Sequence, residues 1–208
     1  MGGASNYLKQ ESTRLQQENK ALHDEIAVLR EYVSAIESLM DAVEELDPSK
    51  EILPLLDRIL FNAMTVTNSK DGSLMVVDDE TNELAFVYAR GAITQDKLAG
   101  HRLPLGKGIA GWVAQNAKPA IVNHARSDPR FFTGIDDAYQ FKTNSVLAVP
   151  IIGKSKVLGV IEVLNKLNGN EYSQTDQMLL TLLCRFAGEV LITMSEQEEA
   201  EKAAPAKK

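Results

Sequence analysis

The ten residues from Asp128 to Asp137, DPRFFTGIDD, bring three carboxylates, one arginine and two adjacent aromatic rings into one short stretch. Such a set could form an acid–base pair, a capped surface helix or one wall of a ligand pocket. Glycosidic hydrolysis needs two carboxylates that flank the bond to be cleaved. Asp136 and Asp137 are adjacent and diverge, and no serine–histidine or cysteine–histidine relay evidently meets them. We therefore do not expect catalysis here. Asp128 followed by Pro129 predicts a helix cap with proline in the first turn.

A second candidate stretch begins at Gly106 and Gly108, within LPLGKGIAGWVA. Glycines at these positions let the backbone turn tightly and expose N–H groups at the start of a helix, where anions bind. The same spacing also occurs in simple turns. The glycines alone therefore leave both interpretations open.

Glu162 is the most informative single residue. It lies in VLGVIEVLN, which has the composition of a strand, and it shares a strand face with Val160 and Leu164. A carboxylate on an apolar face costs free energy unless it is paired or hydrogen-bonded. Either this face is exposed to solvent, or Glu162 points into a polar cavity where it could accept from N–H groups such as those of a guanine edge.

Composition limits the class of protein. The 208 residues are 44% apolar and 25% charged with a net charge of −7, which argues against nucleic acid as a partner. The single cysteine, Cys184, excludes an internal disulfide and fits a reducing compartment. No apolar run of about 18 residues and no signal pattern are present. We expect a cytoplasmic location and no membrane partner.

The first 45 residues carry a seven-residue repeat. A strict period of seven over this length favours a two-stranded left-handed coiled coil, and Asn19 at an a position would set the register of a parallel homodimer. The alternative is a helix that packs its apolar stripe on its own domain. The predicted dimer contacts are Leu15, Asn19, Leu22, Ile26, Leu29, Val33 and Ile36.

The remaining elements predict an α+β fold. A helix restart is expected at Asp47–Pro48, and a closing helix from Ser173 to about Ala204. An antiparallel sheet of about six strands would carry the N- and C-terminal helices on one face and the middle helical segments on the other. The expected division is 1–46 coiled-coil helix, 47–195 globular domain, and 196–208 helix end and flexible tail. The strands are predicted at residues 73–77, 84–88, 120–122, 145–152 and 157–165.

Four stretches in this order resemble the GAF domain family: GIAGWVA, DPRFFTGIDD, FKTNSVLAVPI and GVIEVLNK. They are most similar to the GAF domains of cyclic-nucleotide phosphodiesterases and of adenylyl cyclases. The resemblance implies a pocket between the sheet and the middle helical segments, and so favours the cavity interpretation of Glu162. The implied ligand-binding residues are Ser73, Ile109, Ala110, Phe132, Asp136, Tyr139, Thr143 and Glu162.

The resemblance also implies a structural motif made of Asn165, Lys166, Tyr172 and Asp176. In the family the third position is usually phenylalanine, and the acid that follows Asp176 is replaced here by glutamine. Lys166 and Asp176 can still form the ion pair that tethers the strand end to the last helix. A position where relatives can hold the base with an aspartate is an alanine, Ala89, so one base contact is missing.

These features imply a non-enzymatic, small-molecule-sensing signalling module that relays through a coiled-coil dimer to a downstream protein. The expected ligand is a cyclic nucleotide, cGMP or cAMP, with no other cofactor and no metal, because His101 and His124 are single histidines without ligand spacing. Methionine-sulfoxide reduction, known in some relatives, would need more cysteines than Cys184. The alternative is a ligand-free scaffold that serves dimerisation or protein–protein interaction.

Overall fold

The computed structural model describes residues 2–44 and 52–203. The expected helix restart at Asp47–Pro48 and the tail after residue 203 lie outside these ranges. The chain divides into two units, Met1–Ser38 and Leu39–Lys208.

Helix α1 (Gly2–Glu44) runs without interruption for 43 residues and exposes its apolar seam. Between 45% and 68% of the surface of Leu8, Leu15, Leu22, Ile26, Leu29 and Val33 is exposed. Asn19 is exposed as well, whereas the side chain of Ile36 lies outside the description. A row of exposed leucines is unfavourable in water. The seam therefore has the form that a second helix would cover, and the coiled coil stays a prediction.

The second unit contains a six-stranded antiparallel sheet in the order β3-β2-β1-β6-β5-β4. This confirms the predicted α+β fold. The strands are β1 (Ser69–Asp78), β2 (Glu83–Arg90), β3 (Arg102–Pro104), β4 (Ala120–Val122), β5 (Val146–Gly153) and β6 (Lys156–Lys166). The helices are α2 (Ile52–Val66), α3 (Gln95–Leu98), α4 (Gly108–Asn116), α5 (Gly134–Tyr139) and α6 (Gln174–Ala203), with 3₁₀ turns at Ala125–Ser127 and Leu167–Gly169.

Helices α2 and α6 pack on one face of the sheet. Alternation along β1, β5 and β6 directs Leu74, Leu147 and Ile161 to this face, and all three are fully buried. The approach is close, because a Cβ on Gly188 of α6 would lie 2.1 Å from the carbonyl oxygen of Ile152. Only glycine permits this contact between helix and strand.

The opposite face carries α4. Its side chains Ile109 and Val113 form a buried cluster with Met75, Val160 and Ala148 of the three central strands. Gly108, at φ +69°, begins the helix after the tight turn that contains Gly106. The sheet therefore separates two packed layers, and the residues that alternate towards α4 are the ones available to a pocket.

Three local features differ from the sequence predictions. Strand β3, whose proline is tolerated because the strand lies at the sheet edge, was not predicted. A bulge in β2 leaves Val87 without a partner, since Leu74 pairs with Tyr88 and Met75 with Phe86. The helix cap expected at Asp128 is wrong: its side chain accepts from the backbone N–H of Arg130 at 2.9 Å and closes a turn instead.

Candidate functional site

A cavity of about 100 Å³ lies between the sheet and the segments that cover it. The sheet contributes Ser73 and Glu162, and the cover contributes the start of α4, the loop before α5 and α5 itself. Phe86 and Ala89 are three residues apart, so a regular strand would direct them to opposite faces of the sheet. The bulge at Val87 shifts the alternation, and both side chains line the cavity. Seven of the eight predicted ligand-binding residues line this space: Ser73, Ile109, Ala110, Phe132, Asp136, Thr143 and Glu162.

Glu162 faces the cavity from the middle of β6, opposite Ser73 of β1 in the strand register. The protein encloses the carboxyl group, which keeps part of its surface towards the cavity. Burial raises the pKa of Glu162 to about 7, and the Ala110 backbone N–H and the Ser73 hydroxyl lower it in part. Near neutral pH this carboxyl group can therefore either donate or accept a hydrogen bond.

Ser73 is 4% exposed, and its hydroxyl has no hydrogen-bond partner within the described residues. It lies close enough to Glu162 to affect the pKa of that group, but outside hydrogen-bond geometry. A buried polar atom without a partner is unfavourable. The cavity wall thus contains an unsatisfied group next to a carboxyl group that can change its protonation state.

Asp136 has a different environment. Its carboxylate accepts from Arg126 Nη2 at 2.7 Å, from the Thr143 backbone N–H at 3.0 Å and from Thr143 Oγ1 at 2.6 Å. These three bonds satisfy most of its acceptor capacity. Asp136 therefore ties α5 to the residues that precede β5, and a ligand would have to compete with these bonds.

Tyr139 is the predicted ligand-binding residue that does not line the cavity within the described residues. Its hydroxyl donates to the Lys97 backbone oxygen at 2.5 Å, and its ring meets the His101 ring edge-on. Together with Ile93 and Leu98 it belongs to a small apolar cluster under α3. The side chain thus holds two cover segments together.

Phe132 lies at the rim of the cavity, two residues after Arg130. Phe132 is 39% exposed, and Lys107 Nζ lies 3.9 Å from its ring centroid. The guanidinium carbon of Arg130 lies 4.6 Å from the centroid of the Trp112 ring. Arg130 also forms a bidentate ion pair with Asp128, and these hydrogen bonds lower the pKa of Asp128. DPRFFTGIDD is therefore part of the pocket wall and its rim.

Asp71 and Arg90 also line the cavity and were not predicted from the sequence. Asp71 is 3% exposed and accepts from the Ala92 backbone N–H at 2.8 Å and from the Asn165 side-chain amide at 3.1 Å. Extending the alternation of β1 back from Ser73 by two residues would have found Asp71. Arg90 is paired with Asp57 of α2, which no local pattern indicates.

The predicted structural motif is assembled at the end of β6. Lys166 forms a partly buried ion pair with Asp176, and its ammonium lies 5.6 Å from the Tyr172 ring centroid. Asp176 accepts from the backbone N–H of Ser173 at 2.7 Å while its own N–H donates to the Ser173 hydroxyl, so the two residues cap α6 reciprocally. Asn165 accepts from the Asn144 backbone N–H at 2.8 Å. The strand end, the cover segment and the start of α6 are therefore joined.

Cys184 and the histidines do not form a reactive centre here. Cys184 of α6 is fully buried on the face of the sheet that α2 and α6 cover, with its sulfur 3.8 Å from the Val149 carbonyl oxygen. Burial raises the pKa of its thiol. Within the two described ranges, no group of three or more histidine, cysteine or carboxylate side chains could hold a metal ion. None of the helices in those ranges is both long and apolar enough to cross a bilayer.

Sequence comparison identifies relatives of this domain. A family model described as GAF domain matches residues 52–191. The dual 3',5'-cyclic-AMP and -GMP phosphodiesterase 11 of Drosophila melanogaster is 31% identical over 154 residues, which cover 66% of this chain and 10% of that protein. The cGMP-specific 3',5'-cyclic phosphodiesterase of Drosophila virilis is 30% identical over 146 residues, covering 64% of this chain and 16% of the relative. The chain thus spans about a tenth to a sixth of these curated relatives.

Solved structures show the same fold at low sequence identity. The GAF domain of a phosphoenolpyruvate-protein phosphotransferase from Coxiella burnetii is similar with a TM-score of 0.71 at 14% identity, over 82% of this chain and 98% of that one. The free methionine-R-sulfoxide reductase of Neisseria meningitidis reaches 0.62 at 16% identity, over 82% and 91%. The matched segment, the sheet between two helical layers and the ordered sequence motifs agree. The chain belongs to the GAF domain family.

Proposed function

We propose that this chain is a small-molecule-sensing signalling module whose ligand is a cyclic nucleotide, cGMP or cAMP. The observation that carries the proposal is the position of Glu162 opposite Ser73, whose hydroxyl has no partner within the described residues, in one cavity wall. Both groups lie opposite the start of α4, whose Ala110 N–H is close enough to lower the pKa of the same carboxyl group. A purine edge offers donors and acceptors that such a set could satisfy.

The relatives support the choice of ligand class, because the names of the phosphodiesterases specify 3',5'-cyclic nucleotides. The cavity of about 100 Å³ is smaller than the roughly 300 Å³ at which small-molecule sites begin. A nucleotide would therefore have to displace part of the cover. We expect the α5 segment to move, because Asp136 and Thr143 hold it by hydrogen bonds that a ligand could replace.

The signal would leave the domain through its helices. We propose that α1 pairs with its copy as a parallel coiled coil through Leu15, Asn19, Leu22, Ile26, Leu29, Val33 and Ile36, and that a downstream protein reads the geometry of the dimer. The proposed location is the cytoplasm. We expect no catalysis by the chain itself.

Isothermal titration with cGMP and with cAMP tests the ligand. We expect binding of at least one of them, weakened about tenfold or more by Glu162→Ala, because the variant removes a buried hydrogen-bonding group from the wall. Glu189→Ala on the exposed face of α6 is the matched control and should bind as the wild type does. No heat with either nucleotide at high micromolar concentration would reject both ligands.

The second candidate is a ligand-free scaffold, and the small cavity volume is the observation that favours it. A scaffold would use the exposed seam of α1 for dimerisation and would not respond to any small molecule. In that case Glu162→Ala would change the free energy of unfolding alone. Native mass spectrometry of freshly purified protein distinguishes the two functions, since a copurifying nucleotide would appear as added mass.

A further inference from the structure

Lys107 carries a cation at the rim of the cavity. It is the N-cap residue of α4, and its ammonium lies 3.9 Å from the centroid of the Phe132 ring. Phe132 in turn lines the cavity and lies beside Gly108, where an added Cβ would be 3.5 Å from the Phe132 Cβ. Both side chains are exposed. The ammonium therefore stands at the entrance, next to the N-terminus of a nine-residue helix.

The charge of Lys107 is not neutralised by a carboxylate within the described ranges. Arg90, which lines the cavity, is paired with Asp57 at 2.5 Å, and Arg126 is paired with the lining residue Asp136 at 2.7 Å. Arg130 is paired with Asp128 at 2.7 Å. Lys107 makes only the contact with the aromatic ring among the interactions that the described residues show. Its charge thus remains available to an incoming anion.

The interior of the cavity has the opposite character. The side chains of Asp71, Asp136 and Glu162 line it, together with the unpartnered hydroxyl of Ser73 and with Arg90, whose charge is paired with Asp57. Carboxyl and hydroxyl oxygens favour a ligand end that carries N–H donors, whereas the cation and the helix N-terminus favour an anionic end. The pocket therefore favours a ligand whose N–H donors lie towards β6 and whose anionic group lies at the rim.

We propose that Lys107 is a specificity-determining residue that leaves the Phe132 ring and pairs with the phosphate of the bound nucleotide. This inference rests on the proposed function and adds the orientation of the ligand: the base lies against Ser73 and Glu162, and the phosphate lies at the rim. A charge-assisted hydrogen bond to a phosphate oxygen is stronger than a cation–π contact at an exposed site. The exchange of partners is therefore favourable.

The test compares Lys107→Met with Lys118→Met in titrations with cyclic GMP and with guanosine at two salt concentrations. Methionine keeps an unbranched side chain over Phe132 and removes the charge. Lys118 is exposed just beyond the other end of α4, so its variant makes the same change in net charge away from the rim. We expect Lys107→Met to weaken cyclic GMP by about three- to tenfold and to reduce the salt dependence, with guanosine unchanged. Lys107→Arg should restore the affinity.

The outcomes separate this inference from the proposed function. Equal weakening of both ligands by Lys107→Met, no weakening of either, or the same effect from Lys118→Met would overturn the role of Lys107 while the cyclic-nucleotide proposal stands. Failure of the wild-type protein to bind cyclic GMP and cyclic AMP would overturn both.

Discussion

Backbone alternation places the carboxyl group of Glu162 on a strand face that otherwise buries apolar side chains such as Val160. Burial disfavours the charged form of this group and raises its pKa to about 7, from 4.5 in an unstructured chain. The folded protein thus retains a proton that the unfolded chain has already lost at pH 6. The contribution of Glu162 to the free energy of unfolding therefore falls as pH rises from about 4.5 to about 7.

Glu162→Gln should remove this part of the pH dependence. At full titration the shift corresponds to about 3 kcal/mol, so the variant should lose less stability than the wild type between pH 5 and pH 8. Urea unfolding at several pH values measures the difference. Glu189→Gln, on the exposed face of α6, should keep the slope of the wild type. Equal slopes for Glu162→Gln and the wild type would show that the carboxyl group is not buried as described.

The positions of the site residues were largely predictable, but their hydrogen-bond states were not. A period of two and the ordered motifs are enough to bring Ser73, Ala110 and Glu162 to one cavity. The three bonds of Asp136 depend on Arg126 and Thr143, whose approach requires the folded turns between them. Local sequence patterns do not contain that information.

At the level of elements, long periodic segments were predictable and short irregular ones were not. The strand core around Val160 and the helix that begins near Ser173 agree with the structure. Strand β3 has three residues and ends in a proline, and the bulge at Val87 involves no glycine or proline that could signal it. Pairing with neighbouring strands, a tertiary effect, determines both features.

Gly188→Ala tests the packing of α6 on β5. In an exposed helix this change stabilises a protein by about 1 kcal/mol. Here the new Cβ would lie 2.1 Å from the Ile152 carbonyl oxygen, so the helix and the strand must separate. We expect a net loss of about 2 kcal/mol or more in the free energy of unfolding, measured in urea. The adjacent exposed substitution Glu189→Ala should stay within about 0.5 kcal/mol, and a stabilised Gly188→Ala would contradict the close approach.

For the whole molecule, the exposed seam of α1 is the feature that a single chain leaves unexplained. The residues Leu22 and Leu29 occupy equivalent heptad positions, and each exposes about half of its surface. A coiled-coil partner would bury them, and this burial would be the main source of dimer stability.

The double variant Leu22→Asp with Leu29→Asp should therefore be monomeric, while the globular unit keeps its affinity for a cyclic nucleotide. Sedimentation equilibrium at micromolar concentration measures the mass. Gln10→Asp with Gln17→Asp introduces the same two charges on the outer face of α1 and should leave the wild-type dimer intact. A wild-type protein that sediments as a monomer would show that the coiled-coil prediction is wrong.

The ion pair between Lys166 and Asp176 has a mechanical consequence. Glu162 and Lys166 belong to the same strand, and Lys166 holds the first turn of a helix of 30 residues. Such a helix is about 45 Å long. Because its first turn is fixed to the end of β6, a tilt of about 5° there would displace the far end of the helix by about 4 Å. The carboxyl group that we propose meets the ligand lies four residues, or two repeats of the pleat, from this ion pair.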